Sequence, residues 1–409
     1  MPTRSDTRIT FLYERWRAIS SGILETAATS FLLLIAVRYY HAGAVSKAAV
    51  AAGGSLGLLL SPLVVSFAAL TKWRVTRVAA WVLGAGAVNL LIAALWPVEP
   101  VYVVAGLLAM ASSYAAIPLL TQVYQENYPT GERGKLFSKT VVIRIAAAAI
   151  FGQLAGSLLT VDIGYYRLLL LIFAVAFAFA ALCVNRCPSR PLTQEGGAHP
   201  FRALRYVRAD HLFRRTLVCW MLLGFANLFM IPLRVEYLAN PIYKLGLSIQ
   251  TVALLTVVIP NVARLIMSPI WGWLFDRMNF FSLRMTLNVG FALGILTFFT
   301  SNSMTGLILG AIIFGISNAG GDVAWSLWVT KFAPPDRVAD YMSVHTFLTG
   351  VRGVIAPAAA FYGVQHFSMV SLAVFSAFLM ALATALLFPE IKWGRTARTA
   401  TALVEDSPE

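Results

Sequence analysis

Long apolar runs separated by short polar segments dominate the pattern of this chain. A hydrocarbon core of ~30 Å is crossed by about 20 helical residues. The pattern therefore predicts an all-α membrane protein with twelve transmembrane helices, numbered here as spans 1 to 12. The runs lie near 18–40, 44–71, 75–96, 100–125, 137–160, 165–185, 214–238, 247–275, 281–300, 304–330, 341–365 and 367–388.

The longest polar segment between runs divides them into two groups of six. Its sequence includes Pro188, Pro191, Gly196, Gly197 and Pro200, which is typical of a linker. We therefore expect an N-terminal six-helix bundle over 1–185, a cytoplasmic linker over 186–213, and a C-terminal six-helix bundle over 214–409 that ends in a short cytoplasmic tail.

Composition and charge agree with a membrane location. Hydrophobic residues make up 59% of the 409 residues and charged residues 12%, against about 25% charged in soluble domains. The net charge is +14, and most lysines and arginines fall on segments that are cytoplasmic if both termini are inside. The positive-inside rule then places both termini in the cytoplasm. Contact with anionic lipid accounts for the basic balance, so nucleic-acid binding is not expected.

The two groups of six contain traces of an internal repeat. At an offset of 207 (268 − 61), Ser61 and Pro62 of span 2 align with Ser268 and Pro269 of span 8, and Arg77 aligns with Arg284. At an offset of 204 (336 − 132), the pair Glu-Arg after span 4 aligns with Asp-Arg after span 10. Two matches in register with the topology indicate a duplication into parallel repeats, related by an axis along the membrane normal.

A motif after span 8 gives the duplication a family context. Gly272, Asp276, Arg277 and the later Arg284 form a Gly, Asp-Arg and basic pattern that resembles the cytoplasmic motif of the major facilitator superfamily. The segment 129–134 after span 4 also resembles that family. The resemblance implies a secondary transporter with alternating access. In that fold spans 1, 4, 7 and 10 line the cavity, and spans 2, 5, 8 and 11 form the interface between halves.

The same motif is broken in the first half. Val65 and Ala69 stand where the second half has Gly272 and Asp276. In the family this motif clamps the cytoplasmic face during outward opening, and a carboxylate stabilises a neighbouring helix N-terminus by roughly 0.3–1 kcal/mol. We therefore expect the second-half clamp to matter more to the transport cycle. The alternative is that Asp276 only ends a helix.

Five charged side chains lie deep inside predicted spans, away from the ends of the runs: Glu25, Arg144, Arg264, Asp322 and Arg352. A charge at bilayer depth costs at least about 2.5–3.5 kcal/mol, and such residues usually mark a solute, ion or proton path. They also have a structural reading, in which Arg144 pairs with Glu25 and Arg352 with Asp322. Three arginines against two acids leave one positive charge uncompensated, and an anionic group on the substrate would complement it.

Neutral polar residues extend the predicted substrate-binding or coupling site. Asn318, Asp322 and Trp325 lie at i, i+4 and i+7 and share one face of span 10. Asn227 is the polar candidate on span 7. His345 on span 11 titrates near neutral pH when exposed, but a satisfied interior histidine is the simpler interpretation.

No enzyme, ATP-binding or metal-site motif is present in the sequence, so neither a catalytic activity nor a cofactor is expected. We expect a monomeric secondary transporter in a bacterial cytoplasmic membrane, contacting lipid and moving a small anionic or zwitterionic organic solute. The coupling ion is expected to be a proton, bound by Glu25 or Asp322. The alternatives are an exporter of amphipathic compounds, or a receptor-like or lipid-translocating protein on the same fold.

Overall fold

The computed structural model of the chain describes residues 4–129, 133–192, 204–301, 303–328 and 338–391. Within them the chain is almost entirely helical, with one isolated bridge between Arg74 and Pro191 and no strand. The predicted class, an all-α protein with twelve spans, is confirmed. Spans 1 to 12 run Arg4–Arg38, Ala44–Thr71, Val75–Leu95, Glu99–Asn127, Leu136–Val161, Ile163–Asn185, His211–Ala239, Ile249–Phe275, Phe280–Thr300, Met304–Trp325, Val344–Gly363 and Met369–Glu390.

Side-chain caps fix where several spans of the second half begin. Ser248, Asn279, Ser303 and Ser368 each accept a hydrogen bond from a backbone N–H two or three residues further on. Such a cap satisfies one of the four donors that a helix start leaves without a partner. These starts are therefore set by local sequence, and they fix the register of spans 8, 9, 10 and 12.

Two spans contain a turn of π-helix. One covers Ala27–Phe31 in span 1 and begins two residues after Glu25, and the other covers Leu254–Val258 in span 8. Proline lies inside span 7 at Pro232 and inside span 8 at Pro269. Wider turns and prolines interrupt the regular hydrogen-bond ladder, so spans 1, 7 and 8 each contain a local irregularity at which a helix can bend.

The chain forms two compact units. The first contains Met1–Gly197 together with Pro232–Val258, and the second contains Ala198–Ile231 together with Ile259–Glu409. The changes of unit coincide with irregular points, namely the proline of span 7 and the end of the π-helix of span 8. The division into bundles at 186–213 stays a prediction.

In the first unit, span 5 packs closely on the N-terminal part of span 8. A Cβ atom added at Gly156 would lie 2.6 Å from Ala253 Cβ, and one added at Gly152 would lie 2.5 Å from Val257 Cγ1. Both distances are shorter than carbon atoms tolerate, so only glycine permits this approach. The spacing of two small residues four apart, which indicates close helix packing in membranes, has that role here.

Candidate functional site

An ion pair joins spans 1 and 5 in the first unit. Arg144 Nε lies 3.2 Å from Glu25 Oε2, with 34% of the arginine side chain and 18% of the glutamate side chain exposed. The pairing of these two residues, which the sequence left open, is present. Gly22, one turn before Glu25, lies against the backbone carbonyl of Arg144, where a Cβ atom would collide. The close approach of the two helices therefore places the carboxylate beside the guanidinium.

A second ion pair joins spans 8 and 10 in the second unit. Arg264 Nε lies 2.5 Å from Asp322 Oδ2, and Arg264 Nη1 donates to Asn261 Oδ1 at 3.3 Å. The arginine side chain is 6% exposed and the aspartate side chain 39%. The alternative pairing of Asp322 with Arg352 is wrong. Arg264, twelve residues before Asp276, reaches the acid from span 8 because spans 8 and 10 pack along their length, with Trp271 donating to the Ile316 carbonyl at 2.8 Å.

The other predicted polar residues differ in their surroundings. Asn318 and Trp325 are half-buried beside Asp322 on span 10, and the Trp325 ring lies 5.6 Å from the His345 ring. Asn227 on span 7 is half-buried, and its buried side-chain oxygen has no hydrogen-bond partner within the part of the chain that the structure describes. The roles of these residues in binding or coupling stay predictions.

Arg352 on span 11 contacts span 7. Its Nη1 donates to the Trp220 carbonyl and lies 3.9 Å from Met221 Sδ. Gly224 makes room for the guanidinium, since a Cβ atom at that position would collide with it. No carboxylate of the described residues lies within ion-pair distance of Arg352. It is therefore the arginine that the excess of three arginines over two acids predicts.

The predicted gating motif, which is the cytoplasmic clamp motif of Gly272, Asp276, Arg277 and Arg284, has residues both at the surface and in the interior. Arg277 is exposed and stacks over Trp273, with its Cζ 4.3 Å from the ring centroid. Arg284 is 1% exposed and stacks over Trp220 at 3.4 Å. Gly272 has open space where a Cβ would lie, and the side chain of Asp276 lies outside the described residues. The clamp therefore stays a prediction, while Arg284 has an interior location that the motif did not indicate.

The sequence interpretation missed a buried cluster near the start of span 1. Glu14 is 2% exposed, and its carboxylate accepts from Arg17 Nε at 2.8 Å and from the Tyr124 hydroxyl at 2.6 Å. The predicted run of span 1 began only near residue 18, after this charged segment, but the i, i+3 acid–base spacing of Glu14 and Arg17 was an available signal. Burial and then the charge of Glu14 raise the pKa of Cys187 to about 12, so this thiol stays protonated at neutral pH.

The sequence interpretation also missed an ion pair between the start of span 2 and the end of span 7, within the first unit. Lys47 Nζ lies 2.6 Å from Glu236 Oε1, and the same oxygen accepts from Asn240 Nδ2 at 2.7 Å. Glu236 is 2% exposed. Lys47 belongs to span 2 and Glu236 to span 7, about 190 residues apart, and no local spacing relates them.

Comparisons with known proteins agree with this architecture. A family model described as Major Facilitator Superfamily matches residues 18–357 and, in an overlapping match, 235–402. Among proteins with curated descriptions, none matches the chain significantly.

Solved structures extend the likeness to nearly the whole chain. The nucleoside transporter NupG has a TM-score of 0.72 at 15% identity, covering 93% of this chain and 99% of its own. The human organic anion transporter MFSD10 (TETRAN) has a TM-score of 0.67 at 13% identity, covering 95% and 100%. A D-xylose-proton symporter has a TM-score of 0.63 at 16% identity, covering 94% and 95%. At these identities the likeness establishes the fold alone.

Proposed function

Because the chain belongs to the major facilitator superfamily, we propose that it is a secondary active transporter for a small anionic or zwitterionic organic solute, coupled to protons. It works by alternating access in a bacterial cytoplasmic membrane, with both termini inside. The observation that carries the proposal is the Arg264–Asp322 pair, in which the arginine is buried and the acid is 39% exposed.

The unequal exposure of this pair suits proton coupling. Water can reach Asp322, whereas Arg264 is enclosed and cannot lose its charge. When the anionic group of a solute binds Arg264, the carboxylate loses its counterion in a region of low dielectric, where its protonated form is favoured. Solute binding and protonation then favour each other, which is the coupling that symport needs. In an antiporter the acid and the solute would compete for Arg264.

The first unit supplies a second acid for the same role. Glu25 lies beside Arg144 and two residues before the π-helix of span 1. π-Helical turns are frequent at functional sites and let a helix change register by small steps. Protonation of Glu25 would remove the ion pair at a point where span 1 is able to rearrange.

Alternating access also needs contacts that can break and re-form. In the first unit, three polar contacts join spans 1 and 2 to the segment from span 7 to span 8. Lys47 pairs with Glu236. Ser30 donates to Thr256 Oγ1 at 3.0 Å, and Arg38 Nη2 donates to the Leu247 carbonyl at 2.9 Å. Water can replace the two hydrogen bonds at modest net cost, since each contributes only about 0.5–1.5 kcal/mol. Separating the buried ion pair costs more unless water reaches both charges. In the proposed orientation these contacts close the outer side.

The names of the fold relatives are compatible with this function, since they include an organic anion transporter and a proton symporter. Transport, and no catalytic reaction, is the role proposed here. An amphipathic-compound exporter would differ in direction, and a lipid-translocating protein would give lipid movement without solute accumulation. Flux measurements therefore separate the alternatives.

The test uses the purified chain in sealed vesicles. A solute is first selected by its thermal stabilisation of the protein, from a panel of organic carboxylates, phosphates and zwitterions. The parent, Asp322→Asn and Glu25→Gln are then compared in accumulation driven by an imposed pH gradient and in solute exchange. We expect at least one amide variant to keep exchange and lose gradient-driven accumulation.

Asp162→Asn is the matched control. Asp162 is exposed and accepts from the Gly164 N–H at 2.7 Å, a contact that asparagine keeps. The Asp162→Asn variant should accumulate solute as the parent does. If both Asp322→Asn and Glu25→Gln also concentrate solute as well as the parent, the acids are structural and the proposed proton path is wrong.

A further inference from the structure

Span 11 presents a row of polar groups to the interior of the second unit. His345, Thr349 and Arg352 lie at i, i+4 and i+7 and so share one face of the helix. Each of them has buried polar atoms with no hydrogen-bond partner in the described part of the chain. These atoms are the two ring nitrogens of His345, the hydroxyl oxygen Oγ1 of Thr349 and Nε of Arg352. Every one of these groups donates hydrogen bonds, or does so in one of its forms.

Trp220 of span 7 and Arg284 of span 9 complete this group. The Arg284 guanidinium lies 3.4 Å from the Trp220 ring centroid, and the Trp220 ring lies 5.3 Å from the His345 ring. The Trp220 carbonyl accepts from Arg352. Arg284 Nη1 and Nη2 and Trp220 Nε1 are also buried without a hydrogen-bond partner among described residues. One tryptophan therefore contacts all three basic side chains.

The region is rich in donors and poor in acceptors. His345 is 0% and Arg284 1% exposed, and no acid of the described residues pairs with Arg284 or Arg352. A buried arginine keeps its charge, and a buried charge without a counterion is costly. A buried donor that finds no acceptor is destabilising as well. The cluster therefore lacks a negatively charged group that could accept its hydrogen bonds, and no described residue of the second unit supplies one.

We propose that Arg284, Arg352, His345 and Trp220 form a binding site for a small oxyanion, a phosphate or carboxylate group. Two guanidinium groups match the geometry of such oxygens, because each presents its N–H donors as a planar fork. Arg352 is half-buried, whereas Arg284 and His345 are enclosed, so the anion enters past Arg352. The ring of Trp328, which is fully buried, lies 5.0 Å from the His345 ring.

The inference goes beyond the proposed transport function and does not require it. Two sources carry the same chemistry: free inorganic phosphate, and the phosphate or carboxylate group of a transported solute. Binding to the purified protein is measured without any transport, so a failure of the site and a failure of the transport proposal are separate results.

The experiment measures the thermal unfolding midpoint, Tm, of the full chain in detergent with increasing inorganic phosphate, against chloride at equal ionic strength. We expect a saturable rise in Tm with phosphate and sulfate and none with chloride. Arg284→Gln should weaken apparent phosphate binding about tenfold or more, as expected for the loss of charge-assisted hydrogen bonds. His345→Phe keeps an aromatic ring among the tryptophans, removes both ring nitrogens, and should weaken binding as well.

Arg77→Gln is the matched control for charge and stacking. Arg77 occupies the repeat position of Arg284, but it is exposed and stacks over Trp73 at 4.6 Å. Asp340→Asn tests whether this acid, five residues before His345, is the counterion of Arg284 and Arg352. Under the proposal it is not, and the variant keeps the rise in Tm with phosphate. An equal response to chloride, or an Arg77→Gln variant that loses the response as Arg284→Gln does, overturns the site.

Vesicle flux of labelled phosphate then distinguishes the two sources. Exchange of phosphate that Arg284→Gln abolishes supports the site as a solute site. Binding of phosphate without exchange supports it as a site for an anion that remains on the protein.

Discussion

In each six-span group, the fifth span places an arginine against the first span. The charge of one arginine is neutralised by a carboxylate, whereas the other arginine contacts a backbone carbonyl. In the first group, Arg144 of span 5 meets the carboxylate of Glu25 at 3.2 Å. In the second, Arg352 of span 11 meets the backbone carbonyl of Trp220. A glycine of the first span allows both approaches. Gly22 receives the backbone of Arg144, whereas Gly224 receives the guanidinium of Arg352 itself.

The two groups of six spans therefore hold their fifth-span arginines in different electrostatic surroundings. An ion pair neutralises the first arginine inside the protein, whereas a carbonyl carries only a partial charge and leaves the second arginine able to bind an anion. Arg77 and Arg284 differ in a similar way. They occupy the same repeat position, yet Arg77 is exposed and Arg284 is buried beside Arg352 and His345. Arg284 and Arg352, which have no carboxylate partner among the described residues, both belong to the second unit.

The largest expected loss of stability comes from replacing the glycines of the two first spans. Gly22→Ala places a methyl group against the backbone of span 5 and should lower stability by about 3 kcal/mol, the upper end for overpacking. Gly224→Ala collides with the end of a flexible side chain and should cost about 1 kcal/mol, while weakening the phosphate response because Arg352 is displaced. Thermal unfolding in detergent measures both.

Gly84→Ala is the control for these two variants, because nothing lies within 4 Å of an added Cβ at that helical position. It should be neutral or slightly stabilising, since alanine favours helix over glycine. A Gly224→Ala variant that is destabilised more than Gly22→Ala would contradict the different packing assigned to the two first spans.

An intermediate effect is expected when the carboxylate of the first group is removed. Removing one partner of a fully buried pair costs about 3–5 kcal/mol, but a third of the Arg144 side chain is exposed. Glu25→Gln should therefore lower stability by about 1–2 kcal/mol. The check is a double-mutant cycle with Arg144→Gln, in which the double variant is more stable than the sum of the single losses predicts. Strict additivity would mean that the pair has no interaction energy.

The smallest expected change in stability comes from giving the second group its missing carboxylate. Met221 Sδ lies 3.9 Å from Arg352 Nη1, so a glutamate of similar length reaches the guanidinium. Met221→Glu should raise stability by less than about 1 kcal/mol after desolvation, and it should abolish the phosphate-dependent rise in Tm. Met221→Gln, with the same shape and no charge, should keep that rise. A Met221→Glu variant that responds to phosphate as the parent does would argue against Arg352 as a ligand.

Local sequence determined the helices, their number and the charged residues that lie deepest in the apolar runs. Twenty-residue apolar runs are strong signals because a span must satisfy all of its backbone hydrogen bonds within itself. The count of three arginines against two acids deep inside the predicted spans was likewise visible, because Glu25 and Asp322 stand out against apolar neighbours. Glu14 was missed because a short charged stretch precedes the run, and the pattern does not distinguish a surface segment from a buried helix start.

Only the tertiary structure decided which charges meet. Span packing brings Arg264 to Asp322, leaves Arg352 at a carbonyl and buries Arg284 against Trp220. These pairings depend on the rotation and close approach of helices that are far apart in sequence, and a helix reveals its apolar content but not its neighbours. The sequence therefore showed which charges lie deep in the apolar runs, and the packing of spans 7, 8, 9, 10 and 11 determined which arginines of the described chain remain without a carboxylate.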